Sequence, residues 1–303
     1  MRGKKRDRLR SVSRLLAALL ATLLLGGAVS SALGEDAAIR GYSREEGYVY
    51  VTLGQYPQTA EGGILPILWR ALTADGEKVY LLSEYILFAR TMHTSVKEYR
   101  DVLKGDFAQT ELCQYLNTTF AEDAFTEDEM GMLLPCENFG KVFLLSRDDM
   151  KNKDIGLGKS HEGTKNEKLI LAEPGVRAWG TEYAIKNNGF PEEEYPNPKE
   201  RVIGRAGSHI SREETRLYVF QQKYGACSPY WGRTQSTTDT RHAVCTKDGG
   251  QIGHIEVGRD NEGVRPALYL AQGSYRIDAG DGTKENPYVI TPVVTGSKEE
   301  ENK

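Results

Sequence analysis

Apolar and polar positions alternate over three successive runs in the first third of the chain, a pattern typical of β-strands. In "GYVYVTLGQYPQT", apolar residues occupy every second position from Val49 to Leu53, and Gly54 and Pro57 are expected to end the strand. The runs "PILWRAL" and "EKVYLLSEYIL" follow, and Asp75-Gly76 between them is a hairpin signal. The pattern therefore predicts a three-stranded meander.

The apolar spacing then changes to that of helices. In "TELCQYLNTTF", Leu116 and Phe120 lie four residues apart, and Thr110 is positioned to cap the start of a helix. A second helix is predicted from "FTEDEMGMLLP", because Thr126 and Glu129 have the spacing of a capping box and Pro135 is expected to stop it. A short strand at Val142–Leu145 is expected next, with a helical turn begun by Ser146.

The later part of the chain divides into an irregular segment and a second region of strands. Residues 151–225 are rich in glycine and proline and predict a long loop or insertion, broken only by a short helix in "TEYAIKNNG". A hairpin is expected in "RHAVCTKDGGQIGHIEV", with its turn at Asp248–Gly250. His242 and His254 are expected to meet across it. A closing strand follows in "GDGTKENPYVI".

The run "GVRPALYL" contains Arg265-Pro266 in the middle of a strand pattern. Proline cannot donate to a β-ladder, so we expect this strand to lie at a sheet edge or to contain a bulge. Arginine has five donors in a fixed geometry, and one beside such an irregularity can hold loop carbonyls. We interpret Arg265 as a structural residue, with a ligand contact as the alternative.

The first 34 residues have the pattern of a secretory signal peptide. A segment with seven basic residues precedes a 15-residue apolar run, Leu15–Val29, and small residues follow at Ala32 and Gly34. The apolar run is short for a membrane-spanning helix, so we expect cleavage and no span afterwards. Residues 35–47 are interpreted as a linker, 48–292 as a single domain and 293–303 as a disordered tail.

Charge excludes one class of partner. Without residues 1–34 the chain has 32 basic and 42 acidic residues, a net charge near −10. This balance argues against nucleic acid as the main ligand. We expect a protein that is secreted or held at the cell surface.

Four cysteines remain after the predicted signal: Cys113, Cys136, Cys227 and Cys245. An even number in an exported chain suggests disulfides. Of the three possible pairings, the sequence-local one, Cys113–Cys136 with Cys227–Cys245, is favoured because each bond closes a short loop. Buried free thiols are the alternative.

Several of these blocks occur in an order that is similar to a known family. They are "VTLGQYPQT", "VYLLSEYIL", "ELCQYLNTTFAEDAFTEDEM", "KVFLLS", "SPYWGRT" and "GVRPALYL". From Tyr48 to Leu270 the chain resembles bacterial extracellular proteins with the DUF6273 domain, which are distantly similar to the C-type-lectin-like fold of formylglycine-generating enzymes. The resemblance implies an α+β domain with a twisted antiparallel sheet, two or more helices and long irregular loops. It implies no established activity.

The chain departs from that family at a point where a pocket is expected. The paired tryptophan that usually precedes the family's arginine is here Tyr230-Trp231, and Gly232 separates the pair from Arg233. Aromatic rings stack on sugars, and arginine binds hydroxyls or carboxylates. Tyr230, Trp231, Arg233 and Arg265 are therefore the candidate ligand-binding residues. For Trp231 and Arg233 the structural alternative is stronger, with Trp231 in the core and Arg233 bound to loop carbonyls or a buried acid.

Enzymatic chemistry receives little support from motifs. The sequence contains no GxSxG, HExxH, Walker or Rossmann pattern. Copper chemistry of the formylglycine-generating type requires closely spaced cysteines, whereas Cys227 and Cys245 are 18 residues apart. We expect no cofactor. Calcium is an alternative at Asp278, Asp281 and Glu285, although this spacing does not match an EF-hand and also fits a simple turn.

Three functions remain in view from the sequence. The first is a non-catalytic secreted or cell-surface module that binds a glycan or a protein. The second is an enzyme on a formylglycine-generating-enzyme-like scaffold, and the third is a structural protein of an envelope assembly. The third would expose an apolar patch on one face.

Overall fold

The structure is a computed structural model that describes residues 39–158, 175–186, 229–246, 252–259 and 262–293. Its strands in chain order are β1 (Tyr50–Pro57), β2 (Ile64–Ala74), β3 (Lys78–Ser83), β4 (Phe88–Ala89), β5 (Leu133–Leu134), β6 (Val142–Phe143), β7 (Trp231–Gln235), β8 (His242–Thr246), β9 (Ile252–Glu256), β10 (Gly263–Val264), β11 (Ala267–Ala271), β12 (Tyr275–Ala279) and β13 (Tyr288–Pro292). Its helices are α1 (Val96–Asp101), α2 (Glu111–Asn117), α3 (Thr119–Ala124), α4 (Glu127–Gly131), α5 (Arg147–Lys151) and α6 (Glu182–Lys186).

The main sheet has the order β12-β13-β1-β2-β3-β11, and β5 and β6 pair with successive parts of β11 at the far edge. All its pairings are antiparallel except the one between β1 and β13. Two smaller sheets, β4 with β10 and β7-β8-β9, accompany it. The described chain is therefore a mixed, sheet-rich α/β domain with short helices, and its main sheet is open rather than closed into a barrel.

The predicted meander is confirmed as β1, β2 and β3. At the turn between β2 and β3, the Asp75 carboxylate accepts hydrogen bonds from the backbone N–H groups of Glu77 (2.8 Å) and Lys78 (2.9 Å). The expectation that Gly54 ends β1 is wrong. Gly54 has φ +65°, and the register shifts between Thr52 and Gln55, so the strand continues through a bulge.

The predicted capping residues begin the helices as expected. The Thr110 hydroxyl accepts from the Cys113 N–H at the start of α2. Thr126 with Glu129 and Ser146 with Asp149 form capping boxes at the starts of α4 and α5. However, α4 ends at Gly131 rather than at Pro135. The intervening residues Leu133–Leu134 pair with β11, because apolar side chains gain more from burial in the sheet than from another helical turn.

The two faces of the main sheet differ in chemistry. Register places Trp69, Leu81 and Leu268 on one face, where the Trp69 ring stacks on Phe125 beside the helices. The opposite face has Arg70 of β2 and the directly paired Tyr80 and Tyr269 of β3 and β11. One face is therefore apolar, whereas the other combines charged and aromatic side chains.

The strand predicted across Arg265-Pro266 is split between two sheets. Gly263–Val264 form β10 and pair with β4, whereas β11 lies inside the main sheet between β3 and the pair β5 and β6. The proline is neither at a sheet edge nor in a bulge of one continuous strand, so that expectation is wrong. It stands where the chain leaves one sheet and enters the next.

Asn117, the last residue of α2, connects that helix to the strand region through its side-chain amide. Its Nδ2 donates to the carbonyls of Cys113 (3.0 Å), Phe139 (2.9 Å) and Val142 (2.8 Å). Its Oδ1 accepts from the N–H groups of Lys141 (2.8 Å) and Val142 (3.0 Å). Asn117 is therefore a structural residue at a helix end.

The expected linker is partly folded onto the domain. Ile39 is 1% exposed in the core, and the Tyr42 N–H donates to the Leu72 carbonyl at 3.2 Å. The segment 39–47 therefore belongs to the folded unit. The predicted signal at 1–34, all but its first residue of the predicted tail at 293–303, the Asp248–Gly250 turn and most of 151–225 lie outside the described residues. In the described part, no helix has the length and apolar character needed to cross a membrane.

The expected Cys113–Cys136 disulfide is not formed. Both residues are buried free thiols, and each sulfur has a different neighbour. Cys113 Sγ donates to the Phe139 carbonyl at 3.4 Å, whereas the Cys136 thiol lies beside the Tyr269 hydroxyl. The pairing of Cys227 with Cys245 stays a prediction, because Cys227 lies outside the described residues.

We expect Asn117→Ala to reduce the free energy of unfolding by about 3 kcal/mol, because it leaves several backbone groups without partners at roughly 1 kcal/mol each. Asn117→Asp keeps the acceptor but turns a carboxylate oxygen towards three carbonyl oxygens, so it should cost at least as much. Chemical denaturation measures both. Thr119→Ala is the control, because it removes the glycosylation sequon Asn117-Thr118-Thr119 at an exposed side chain and should change stability by no more than about 0.5 kcal/mol. Equal losses in Asn117→Ala and Thr119→Ala would contradict the structural role.

Candidate functional site

Charged residues from separate parts of the chain meet at the end of β3 where β11 begins. We call Arg70, Glu84, Arg265, Lys284 and the tyrosines Tyr48 and Tyr230 the ion cluster. Arg70 lies on β2, Glu84 follows β3, Arg265 stands between β10 and β11, and Lys284 lies in the β12–β13 turn. Burial of so many charges in one place is unusual for a domain core. This cluster is the candidate functional site.

Glu84 is the acidic centre of the ion cluster. Its side chain is 3% exposed, and its Oε2 accepts from Arg70 Nε at 2.6 Å and also from Arg70 Nη2. Its Oε1 accepts from Lys284 Nζ at 2.6 Å. The Lys284 side chain is 40% exposed, so it connects the buried pair to the surface.

Arg265 replaces a hydrogen bond that Pro266 cannot make. Pro266 is opposite Ser83 in the ladder, and the Ser83 N–H donates to the Pro266 carbonyl at 2.9 Å. The return bond would need a proline N–H. Arg265 Nε donates to the Ser83 carbonyl instead, at 2.7 Å. The interpretation of Arg265 as a structural residue beside Pro266 is confirmed for this nitrogen.

The outer part of the Arg265 guanidinium points into the ion cluster. Its Nη1 donates to the Tyr230 hydroxyl at 3.3 Å, and that hydroxyl donates to the Val176 carbonyl at 2.6 Å. Both Tyr230 and Arg265 are fully buried. Of the four residues predicted to bind a ligand, the structure therefore brings these two into contact.

The charges of the ion cluster change one another's pKa values. For Glu84, burial alone raises the pKa, but Arg70, Arg265 and Lys284 together hold it below its ordinary value of 4.5. Burial lowers the pKa of Arg265, and the charge of Arg70 adds to this effect. Glu84 thus stays ionised at neutral pH. Among the three cations of the cluster, Arg265 is the one whose positive charge is least stabilised by its surroundings, because its pKa is lowered whereas those of Arg70 and Lys284 are raised.

Arg233 belongs to a different cluster. Its Nη1 donates to the Leu144 carbonyl and to Asp149 Oδ2, the latter at 3.3 Å, and Tyr80 Oη donates to the same oxygen at 3.2 Å. Its guanidinium also lies over the rings of Phe139 and Phe143. The expected bonds of Arg233 to a loop carbonyl and an acid are confirmed.

Trp231 points away from both clusters. It is fully buried, and its indole Nε1–H donates to the Arg90 carbonyl at 2.8 Å. The core role that competed with ligand binding at this position is therefore confirmed.

Sequence reasoning did not identify Arg70, Glu84 or Lys284. A signal existed for the first two, because an arginine within the apolar run "PILWRAL" and a glutamate directly after "VYLLS" need partners when they are buried. For Lys284 the sequence contains no comparable signal, since its turn is polar throughout.

The other candidates have local explanations. His242 and His254 do meet across the hairpin, with ring centroids 5.5 Å apart. At the proposed calcium residues, Asp278 bonds Arg276 and Thr291, and Asp281 bonds Thr283, while Gly280 and Gly282 adopt positive φ in the turn. Within the described ranges, no three His, Cys, Asp or Glu side chains are grouped to hold a metal ion.

The comparison with family models identifies the chain. The model described as "Domain of unknown function (DUF6273)" matches residues 76–272, about two thirds of the sequence. The chain belongs to the DUF6273 family. No curated protein matches it. No solved structure matches it either, so the C-type-lectin-like architecture stays a prediction.

The family match covers only part of the ion cluster of this DUF6273 protein. Glu84, Tyr230 and Arg265 lie inside the matched region, whereas Arg70 of β2 and Lys284 of the β12–β13 turn lie outside it. The main sheet likewise extends past both ends of the match, through β1, β2, β12 and β13. The ion cluster is thus assembled jointly by the family region and its flanking strands.

In this DUF6273 protein, Trp231→Ala should lower the free energy of unfolding by about 3–5 kcal/mol, because it removes a fully buried ring. Trp231→Phe keeps most of the apolar volume but loses the bond to the Arg90 carbonyl, and should cost less. Thermal melting of both variants measures this. If Trp231→Ala melted like the unsubstituted protein, the core role would be refuted.

Stability should depend on Glu84 at acid pH. Its folded pKa is below its ordinary value, so its contribution is present above pH 4.5 and is lost as the pH falls through the folded pKa. Glu84→Gln should cost about 3–5 kcal/mol at pH 7, because it leaves Arg70 buried without its partner, and should weaken the acid dependence.

The control for that experiment is Glu46→Gln. Glu46 pairs with Arg40 through side chains that are 64% and 40% exposed, so its loss should cost no more than about 1 kcal/mol. Denaturant titrations at several pH values measure both variants. An acid dependence in Glu84→Gln as steep as that of the unsubstituted protein would argue against this role of Glu84.

Proposed function

We propose that this DUF6273 protein is a secreted or cell-surface binding module of C-type-lectin-like architecture, without catalytic activity, that recognises an extracellular glycan or protein. The observation that carries the proposal is the ion cluster, in which buried cations on the polar face of the main sheet connect to the surface through Lys284. Buried charge is costly to maintain, and binding sites are a common place for it.

The rim of the ion cluster supports recognition of a ligand with flat faces. Tyr50 and Tyr85 are half-buried there, and Lys284 Nζ lies 5.4 Å from the centre of the Tyr85 ring. Tyrosine rings provide contact area for sugars or side chains with little loss of conformational entropy. A mixed rim of cation and aromatic rings is suited to orienting a polar ligand.

The enzyme alternative requires a reactive thiol or a bound metal. Burial raises the pKa of Cys113 to about 12 and also raises that of Cys136, so these two are protonated at neutral pH. Cys245 is fully buried in β8. All three thiols are therefore buried, whereas a nucleophilic thiol has to be accessible to its substrate.

The structural-assembly alternative predicts an exposed apolar face. Ile64 and Leu65, at the start of β2, are 60% and 47% exposed. They are the first two residues of β2, so their side chains point to opposite faces of the sheet, and the residues that pair with them, Pro57 and Tyr56, are at least half buried. The ion cluster therefore gives the more specific basis for a function.

Binding of the purified protein to arrays of glycans and of peptides tests the proposal. We expect saturable binding to at least one ligand class, and we expect it to weaken in Lys284→Met because this residue joins the ion cluster to the surface. Arg276→Met is the matched control, since Arg276 is 66% exposed on β12 and pairs with Asp278. Failure to bind on either array, or recovery of a chemically altered ligand, would refute the proposal.

A further inference from the structure

The charges of the ion cluster do not balance. It contains three cations, Arg70, Arg265 and Lys284, and one carboxylate, Glu84, whose two oxygens are already taken by Arg70 and Lys284. The Arg265 guanidinium donates hydrogen bonds to two neutral groups, the Ser83 carbonyl and the Tyr230 hydroxyl. A buried cation without a counter-charge is costly, and proteins usually pair it.

The third nitrogen of the Arg265 guanidinium, Nη2, makes no hydrogen bond. It is buried and has no partner among the described residues. The rest of the guanidinium is held on both sides, by Nε at Ser83 and by Nη1 at Tyr230. The direction of the remaining N–H groups is therefore fixed by the fold, as is typical of a preorganised binding group.

Tyr48 adds an aromatic ring and a buried hydroxyl to the same cluster. The Arg70 guanidinium lies 4.6 Å from the centre of the Tyr48 ring. Burial raises the pKa of Tyr48, whereas its side-chain interaction with Arg70 and the charges of Arg70 and Arg265 oppose that rise. Tyr48 therefore has Arg70 beside it, and Arg265 Nη2 is the donor of the ion cluster that lacks an acceptor in the described part of the chain.

We propose that Arg265 binds the carboxylate of an acidic saccharide, a sugar acid of the uronic type. This rests on the proposed function and specifies its ligand. A carboxylate neutralises the uncompensated cation, and its planar oxygens match the guanidinium fork. A saccharide is favoured over an acidic peptide because the half-buried residues Tyr48, Tyr50 and Tyr85 place aromatic rings beside the charges.

Pairs of sugars with and without a carboxylate test whether binding depends on the negative charge of the ligand. Calorimetry of the purified protein would compare D-galacturonate and D-glucuronate with D-galactose and D-glucose, which have the same rings without the carboxylate. We expect at least one of the two sugar acids to bind. Its neutral counterpart should have a Kd at least about tenfold higher, because the buried guanidinium would lose its charged partner. Equal binding of both members of each pair would overturn the inference and leave the proposed function intact.

Two variants locate the binding group. Arg265→Gln keeps a side-chain donor but removes the charge, and should weaken acid binding more than about tenfold. Arg276→Gln removes an exposed arginine and should leave it unchanged. If Arg265→Gln bound the acid normally, or if an acidic peptide bound in preference to either sugar acid, the inference would be wrong.

A crystal structure of the unsubstituted protein with the bound sugar acid avoids any dependence on the folding of variants. We expect carboxylate oxygens within hydrogen-bond distance of Arg265 Nη2. A water molecule on Nη2 in crystals grown with saturating sugar acid would overturn the inference. Absence of binding to any sugar acid, with other ligands bound on the arrays, would overturn it as well, whereas absence of all binding would remove the proposed function too.

Discussion

The hydrogen bonds between Ser83 and the Arg265-Pro266 dipeptide stabilise the junction between two sheets, on which the rest of the structure depends. At this junction the chain leaves the small β4–β10 sheet and enters the main sheet, and proline cannot supply the N–H that the ladder needs. The Arg265 side chain supplies a donor to the Ser83 carbonyl. One side chain therefore both repairs the sheet and places a buried positive charge beside Arg70 and Glu84.

This arrangement explains why the two faces of the main sheet differ. The face with Trp69 packs against the helices and needs only apolar volume. The opposite face must accommodate the guanidinium that completes the ladder, so neighbouring positions contain groups that interact with charge. Glu84, Arg70 and Lys284 form a connected set in which removal of one member leaves others unpaired.

Local patterns predicted the local structure. Alternation identified β1 to β3, and Thr110, Thr126 and Ser146 marked helix starts, because these features depend on residues close in sequence. The ion cluster was only partly predictable. Arg265 and Tyr230 were recognised by type, but Lys284 and Glu84 are 200 residues apart, and only the strand order brings them together. The Cys113–Cys136 pairing failed because loop length says nothing about where two thiols point.

The parallel pairing of β1 with β13 has a consequence for how the domain is made. The first strand of the main sheet cannot complete its ladder until nearly the last described residues have been synthesised. The turn before β13 also contains Lys284, the surface member of the ion cluster. A growing chain therefore has an unpaired edge on β1 and an incomplete cluster of charges until its end is made, so the last ladder of the sheet and the ion cluster depend on the same segment.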